Sequence, residues 1–293
     1  MTDNHVRTLL PVQAMLGEGP VWVGRDAALW FVDIKRHYIH RVDPATGAAH
    51  RWDAPDQVGW VLPAADGGMI AGLKTGLHRF DPADGSFAFI ARPEGDAAGN
   101  RLNDAATDGA GRIWFGTMDD AESDASGHLY RFAAGAITDS GLPPVCITNG
   151  PAIGADGTLY HTDTLGKTIW RATIDENGRL GPAERFVTIE DGAGHPDGSV
   201  VDADGCLWVA LWGGWGVRRY DPSGRLMGKV DLPASNITKI AFGGDGLRTA
   251  FATSARKGLD AAALADQPEA GNVFAFDPGV AGLAVTPVAA FAG

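Results

Sequence analysis

Nowhere in the chain of 293 residues do about 18 apolar side chains run consecutively, whereas a membrane-crossing helix needs about 20. The most apolar candidate, residues 279–293, is interrupted by Thr286 and Pro287. The first residues, Met1 to Arg7, lack a basic stretch followed by an apolar one, so a cytoplasmic location is expected. Cysteine is scarce. Cys146 and Cys206 have no metal-type spacing, and their apolar neighbours point to two buried free thiols. Positive charge is also short: 24 Lys and Arg against 36 Asp and Glu leave a net charge of −12. That balance disfavours nucleic acid or an anionic membrane surface as partners. No Gly-x-Ser-x-Gly elbow is present, which argues against a serine esterase. Nucleotide-binding glycine loops are missing as well.

Glycine, by contrast, is abundant. Its 41 copies are twice the usual ~7% share and imply many tight turns. An Asp-Gly turn recurs at Asp66, Asp108, Asp156, Asp204 and Asp245, spaced by 42, 48, 48 and 41 residues, with a degenerate copy at Arg25-Asp26. Each is followed by an apolar segment such as Leu29-Trp-Phe-Val32, Ile113-Trp-Phe-Gly116 or Leu207-Trp-Val-Ala210. A second set of alternating segments keeps step, among them Ile39-His-Arg-Val-Asp-Pro44, Leu77-His-Arg-Phe-Asp-Pro82 and Val217-Arg-Arg-Tyr-Asp-Pro222. Alternation bounded by Asp, Pro and Gly marks half-buried strands closed by turns. Six such copies, without a helical period, predict an all-β six-bladed β-propeller with four-stranded blades around a central channel. It should form one domain over residues 1–293. Residues 6–12 are expected to complete the last blade and close the ring. The stretch 256–270 reads as a helical turn or a loop inside that blade.

The channel mouth is where blades are free to differ. Seven residues before each Asp lie Gly59, Arg101, Asn149, Asp197 and Thr238, and Glu18 lies eight before Asp26. Asn103 and Asp104 follow Arg101 on the same segment. One phase of a six-fold ring brings these positions toward the axis. Glu18, Asn149 and Asp197 would then offer two carboxylates and an amide oxygen to one divalent cation: Ca²⁺, Mg²⁺, Mn²⁺, Fe(II) or Zn²⁺. A cation also removes the cost of two buried carboxylates facing each other. Singly, each residue has a blander reading: Glu18 as a turn cap, Asn149 as a left-handed residue before Gly150, Asp197-Gly198 as another turn. The shared phase favours the metal.

Five segments, Leu16-Gly-Glu-Gly-Pro20, Arg101-Leu-Asn-Asp104, Gly116-Thr-Met118, Thr148-Asn-Gly150 and Pro196-Asp-Gly198, resemble in order the senescence-marker-protein/gluconolactonase family, which includes regucalcin and bacterial sugar lactonases. The resemblance covers nearly the whole chain and implies a six-bladed propeller with one divalent metal. It maps the metal ligands onto Glu18, Asn149 and Asp197, and substrate contacts onto Arg101 and Asn103. An acidic substrate contact corresponds to Asp120 or its neighbour Asp119. The implied activity is hydrolysis of a sugar lactone, with aldonolactones such as xylonolactone or gluconolactone as the nearest guess.

The chemistry of these side chains agrees with that implication. Metal-activated carbonyl and water suit lactone opening, with Asp197 as general base and Arg101, Asn103 and Asp120 binding hydroxyls. Trp60 and Trp212 either face the sugar or pack. His195 either edges the site or serves a turn, and His161 either faces the channel or packs. Asp202-Ala-Asp204-Gly205 imitates the start of an EF-hand loop but lacks its remaining ligands and reads as a blade turn. The competing functions are an esterase or organophosphate hydrolase on the same fold, and a non-enzymatic metal-binding or protein-interaction propeller. The polar set favours a hydroxylated substrate.

Overall fold

The structure is a computed structural model that describes residues 5–93, 95 and 97–291; the outermost residues of the predicted 1–293 unit fall outside it. Strands follow one another antiparallel through short turns, and the described residues form six four-stranded sheets. The inner strands are Gly17–Val23, Val58–Pro63, Asn100–Thr107, Thr148–Ile153, His195–Val201 and Ile237–Gly243. Each packs against the next and the sixth against the first, which closes a six-bladed β-propeller around a central channel. Blades are numbered 1 to 6 from Gly17. Among the described residues there is almost no helix: one six-residue α-helix, Ala261–Asp266, sits inside the 256–270 stretch, with the Asp260 carboxylate capping the N–H of Ala263. No helix of the described residues is long and apolar enough to cross a membrane.

The turn residues act as their chemistry dictates. In blades 3 and 5, Asp108 and Asp202 accept the following N–H groups with one oxygen. Their other oxygen accepts the indole N–H of Trp114 at 2.9 Å or Trp208 at 2.8 Å. These two repeats thus tie their turns to the buried tryptophans of their own second strands. Asp202 is spent on this turn, as the blade-turn reading expects. In blade 3 the residue with positive φ is Gly111 (φ 73°) rather than the Asp-Gly glycine, Gly109. A Cβ at Gly111 would come within 2.7 Å of the Ala289 nitrogen, so the position needs glycine on two counts.

The ring closes as the sequence predicts. Arg7–Leu10 pairs antiparallel with Val273–Phe276, joining the N-terminal strand to blade 6 and removing an exposed sheet edge. After blade 6 the chain crosses the rear of the propeller. It hydrogen-bonds blade 5 (Ala203 N to Ala281 O, 2.9 Å), blade 2 (Val288 N to Pro63 O, 2.8 Å) and blade 3 (Ala289 N to Gly111 O, 2.9 Å). Leu283, Ala284 and Val285 cover an apolar rear cavity of about 110 Å³.

One sequence expectation is corrected here, and one open choice is decided. Cys206 is a buried free thiol, but Cys146 is a half-buried one, because it lies in the connection between blades 3 and 4 rather than in a strand core. His161 does not face the channel. It is buried in a separate cavity beneath Leu142, Pro143 and Pro144, with its Nδ1 unpartnered. Burial holds the His161 pKa down to about 4, below the ordinary 6.5. The unfolded chain therefore binds more protons between those values, and stability should fall as pH drops from about 6.5 to about 4. Urea unfolding at pH 7 and pH 4.5 checks this: His161→Gln should lose roughly 2 kcal/mol less than the parent across that interval. Equal losses would show that His161 does not carry the acid sensitivity.

Candidate active site

Every inner strand breaks register where it leaves the channel mouth. The shifts fall at Glu18/Val21, Val58/Trp60, Leu102/Ala105, Asn149/Ala152, Pro196/Ser199 and Ile237/Lys239. A bulge of this kind re-aims the side chains beside it, and here it recurs six times around one axis. Glu18, Arg101, Asn103, Asn149 and Asp197 consequently line one pocket of about 330 Å³ at the front of the channel. The other two phase positions serve the scaffold. A Cβ on Gly59 would lie 2.6 Å from the Leu102 carbonyl oxygen, so blade 2 must carry glycine to let blade 3 approach. Thr238 donates its hydroxyl to Gly17 O at 2.6 Å and stitches blade 6 to blade 1.

The two carboxylic acids of this set are almost wholly withdrawn from water: Glu18 is 4% and Asp197 5% exposed. Burial, reinforced by the Asp104 charge, pushes Glu18 up to about 8, although Oε2 accepts the Gly19 N–H at 2.8 Å. Asp197 is raised well above the carboxylate range by burial and then by Glu18 and Asp104. Two buried carboxyl groups within each other's field, unable to ionise together without a counter-charge, are what a cation site looks like before the cation is added. Among the described residues no three His, Cys, Asp or Glu side chains form a metal cluster by themselves. The third donor is an amide. Asn149 gives its Nδ2 to Thr164 Oγ1 at 2.9 Å and turns Oδ1 toward the Nδ2 of Asn103 at 3.0 Å, which leaves one lone pair free. Two carboxylates and an amide oxygen form a hard, oxygen-only set that fits a divalent cation.

Arg101, 2% exposed, faces these acids from blade 3. Its Nη1 donates to Asn103 Oδ1 at 2.7 Å and Leu102 O at 3.1 Å, and its Nε to Asp120 Oδ1 at 3.2 Å. Asn103 passes the order along, since its Nδ2 also donates to Thr148 O at 2.7 Å. Asp120 is tied up by the protein. Lys35 at 2.6 Å, Lys74 at 3.0 Å and Gln57 at 2.8 Å join Arg101 on its two oxygens. Burial would raise its pKa, yet these donors hold it far below the usual range. Asp119 turns away and caps its own loop through the N–H groups of Ser123 and Asp124, which bring it down to about 2. Of the two candidates at this place, Asp120 alone reaches Arg101.

The remaining walls sort the uncertain aromatics. Trp212 and His195 line the pocket, whereas Trp60 is 1% exposed and lies across Gly72, as a packing residue. At the mouth Lys257 from blade 6 pairs with Glu122 from blade 3. Neither was singled out in the sequence, because both sit in irregular connections outside the repeat. Lys239, one residue past its phase position, was missed too. A lysine inside the wholly buried strand Ile237–Gly243 was the available signal.

The SMP-30/Gluconolactonase/LRE-like region matches residues 16–256, which span Glu18, Arg101, Asn103, Asn149, His195, Asp197 and Trp212 and stop one residue short of Lys257. The chain belongs to that family. It is 34% identical over 284 residues to the 6-deoxy-6-sulfogluconolactonase of Pseudomonas putida, covering 96% of this chain and 98% of the relative. To the L-arabinolactonase of Azospirillum brasilense it is 36% identical over 283 residues, covering 95% and 92%. Among solved structures, regucalcin from Agrobacterium tumefaciens strain C58, described as a calcium-binding protein, superposes with a TM-score of 0.93 at 29% identity, covering 97% of each chain. Membership thus places the chain among sugar lactone hydrolases.

Proposed function

We propose that this chain hydrolyses an aldonolactone, such as xylonolactone or gluconolactone, to its aldonic acid, with one divalent cation held by Glu18, Asn149 and Asp197. The observation that carries the reading is the pairing, inside one buried pocket, of two mutually repelling carboxyl groups with an arginine opposite them. A bound Ca²⁺, Mg²⁺, Mn²⁺, Zn²⁺ or Fe(II) ion supplies Lewis acidity toward the carbonyl and acidifies water.

The chain's own residues do the rest. A carboxylate oxygen of Asp197 takes a proton from the attacking water as its oxygen bonds to the lactone carbon. When the ring C–O bond breaks, the proton passes to the departing alkoxide, so no other reactant is consumed. Among the described residues the second amino group of Arg101, Nη2, makes no hydrogen bond, which leaves it for ring or hydroxyl oxygens. Asn103 orients both Arg101 and Asn149, while Asp120 anchors Arg101 from behind. Trp212 and His195 give the sugar a wall.

An acidification assay across pentono- and hexono-lactones of both ring sizes tests the reading. Turnover of at least one aldonolactone far above its spontaneous hydrolysis is expected. Turnover of simple apolar esters alone, or of nothing, would overturn it.

A further inference from the structure

Behind the pocket the channel is barred. The inner strands follow one another around the ring, so Asn100–Thr107 of blade 3 and Ile237–Gly243 of blade 6 stand opposite each other. Lys239 reaches from blade 6 across the axis and pairs with the Asp104 carboxylate of blade 3, with its ammonium also 3.2 Å from Ala105 O. The two side chains are 8% and 1% exposed. The lysine stem passes over Gly198, where a Cβ would fall 2.5 Å from Cγ and 2.6 Å from Cβ of Lys239. Lys239 also lines the apolar rear cavity, while Glu18, Asn149 and Asp197 line the front pocket. The ion pair therefore separates the two.

One oxygen of this pair is left over. Asp104 Oδ1 is engaged by Lys239 and by the Ala105 N–H at 2.7 Å, and the Gly150 N–H, next to Asn149, also acts on this carboxylate; yet among the described residues Oδ2 is buried with no partner at hydrogen-bonding distance. Buried carboxylate oxygens are seldom left so. The same carboxylate acts electrostatically on both Glu18 and Asp197.

We propose that Lys239 and Asp104 form a crossbar that floors the reaction pocket, and that Asp104 Oδ2 is a positioning acceptor for the water held by Glu18, Asp197 and their cation. The inference rests on the reading of the pocket given above. Lys239 fixes the Asp104 carboxylate, and its stem bears on Gly198 beside Asp197. Neither side chain touches the substrate.

The double variant Lys239→Met/Asp104→Leu separates this role from a merely structural one. It replaces a buried ion pair by apolar groups of similar shape, a change that leaves folding stability near or above the parent's, and it leaves the net charge of the site unaltered. Mn²⁺ binding to the apoprotein by calorimetry and lactone turnover are the readouts. Metal affinity should fall about 10- to 100-fold, as it does when groups behind metal ligands are removed, and kcat should fall with little change in KM. A folded double variant with parental Mn²⁺ affinity and kcat overturns the crossbar. If that variant does not fold, Asp104→Asn decides. It keeps the shape but leaves the ammonium without its counter-charge, so weaker Mn²⁺ binding is expected and unchanged binding overturns the proposal. A parent that binds Mn²⁺ but opens no lactone would sink the function while leaving the crossbar to be judged on affinity alone.

Discussion

Asp197→Asn should lower kcat about 10²- to 10⁴-fold, the range over which a positioned proton acceptor acts. The substitution keeps the side chain's shape and an oxygen able to accept the Gly198 N–H that Asp197 engages. It removes the carboxylate's basicity and one negative ligand. Its effect on stability should run the other way. In the metal-free protein Asp197 is a buried acid in the field of Glu18 and Asp104, so taking its charge away relieves repulsion. The metal-free variant is expected to unfold at a temperature no lower than the parent. Loss of turnover with retained or raised thermal stability separates a catalytic role from a folding defect. A variant that turns over lactone at the parental rate would remove Asp197 from proton transfer.

Arg101→Lys is the second large effect. The guanidinium makes three fixed contacts, to Asn103, Leu102 and Asp120, through Nε and Nη1, and among the described residues Nη2 has no hydrogen bond. A lysine carries the charge but cannot fork. Each hydrogen bond to a charged group is worth about 1.5–3 kcal/mol, so losing one to substrate lowers kcat/KM roughly 10- to 100-fold. The loss should fall mainly on KM, because the contact is to hydroxyls present in both ground and transition states. A variant with parental KM and depressed kcat would move Arg101 into the chemical step.

Much of this was legible in the chain, for identifiable reasons. The Asp-Gly turns and alternating strands are local features, and each blade repeats them, so the six sheets could be counted before any contact was known. Counting back to Glu18, Arg101, Asn149 and Asp197 picked out residues that line one pocket because a bulge begins within one residue of each and re-aims the side chains there. The same counting passed over Lys239. In blade 6 the phase position is Thr238, which ties two blades together, and the charged residue that crosses the channel comes next. Asp120 was found as an acid near the site, but not as the hub of Lys35, Lys74, Gln57 and Arg101. Those partners come from three different blades, and nothing in the spacing announces their meeting. Trp60 and Trp212 could not be told apart by sequence, since both sit near the channel ends of their blades. What separates them is Gly72, whose missing side chain makes room for the Trp60 ring.

The central claim is that oxygen atoms from three blades grip one ion. Crystals of the metal-stripped protein soaked in Mn²⁺ and measured at the manganese absorption edge address it directly. A single strong anomalous peak is expected in the front pocket, roughly 2.0–2.6 Å from one oxygen each of Glu18, Asn149 and Asp197. A fully soaked crystal with no peak there, or with its peak at other residues, would contradict the account.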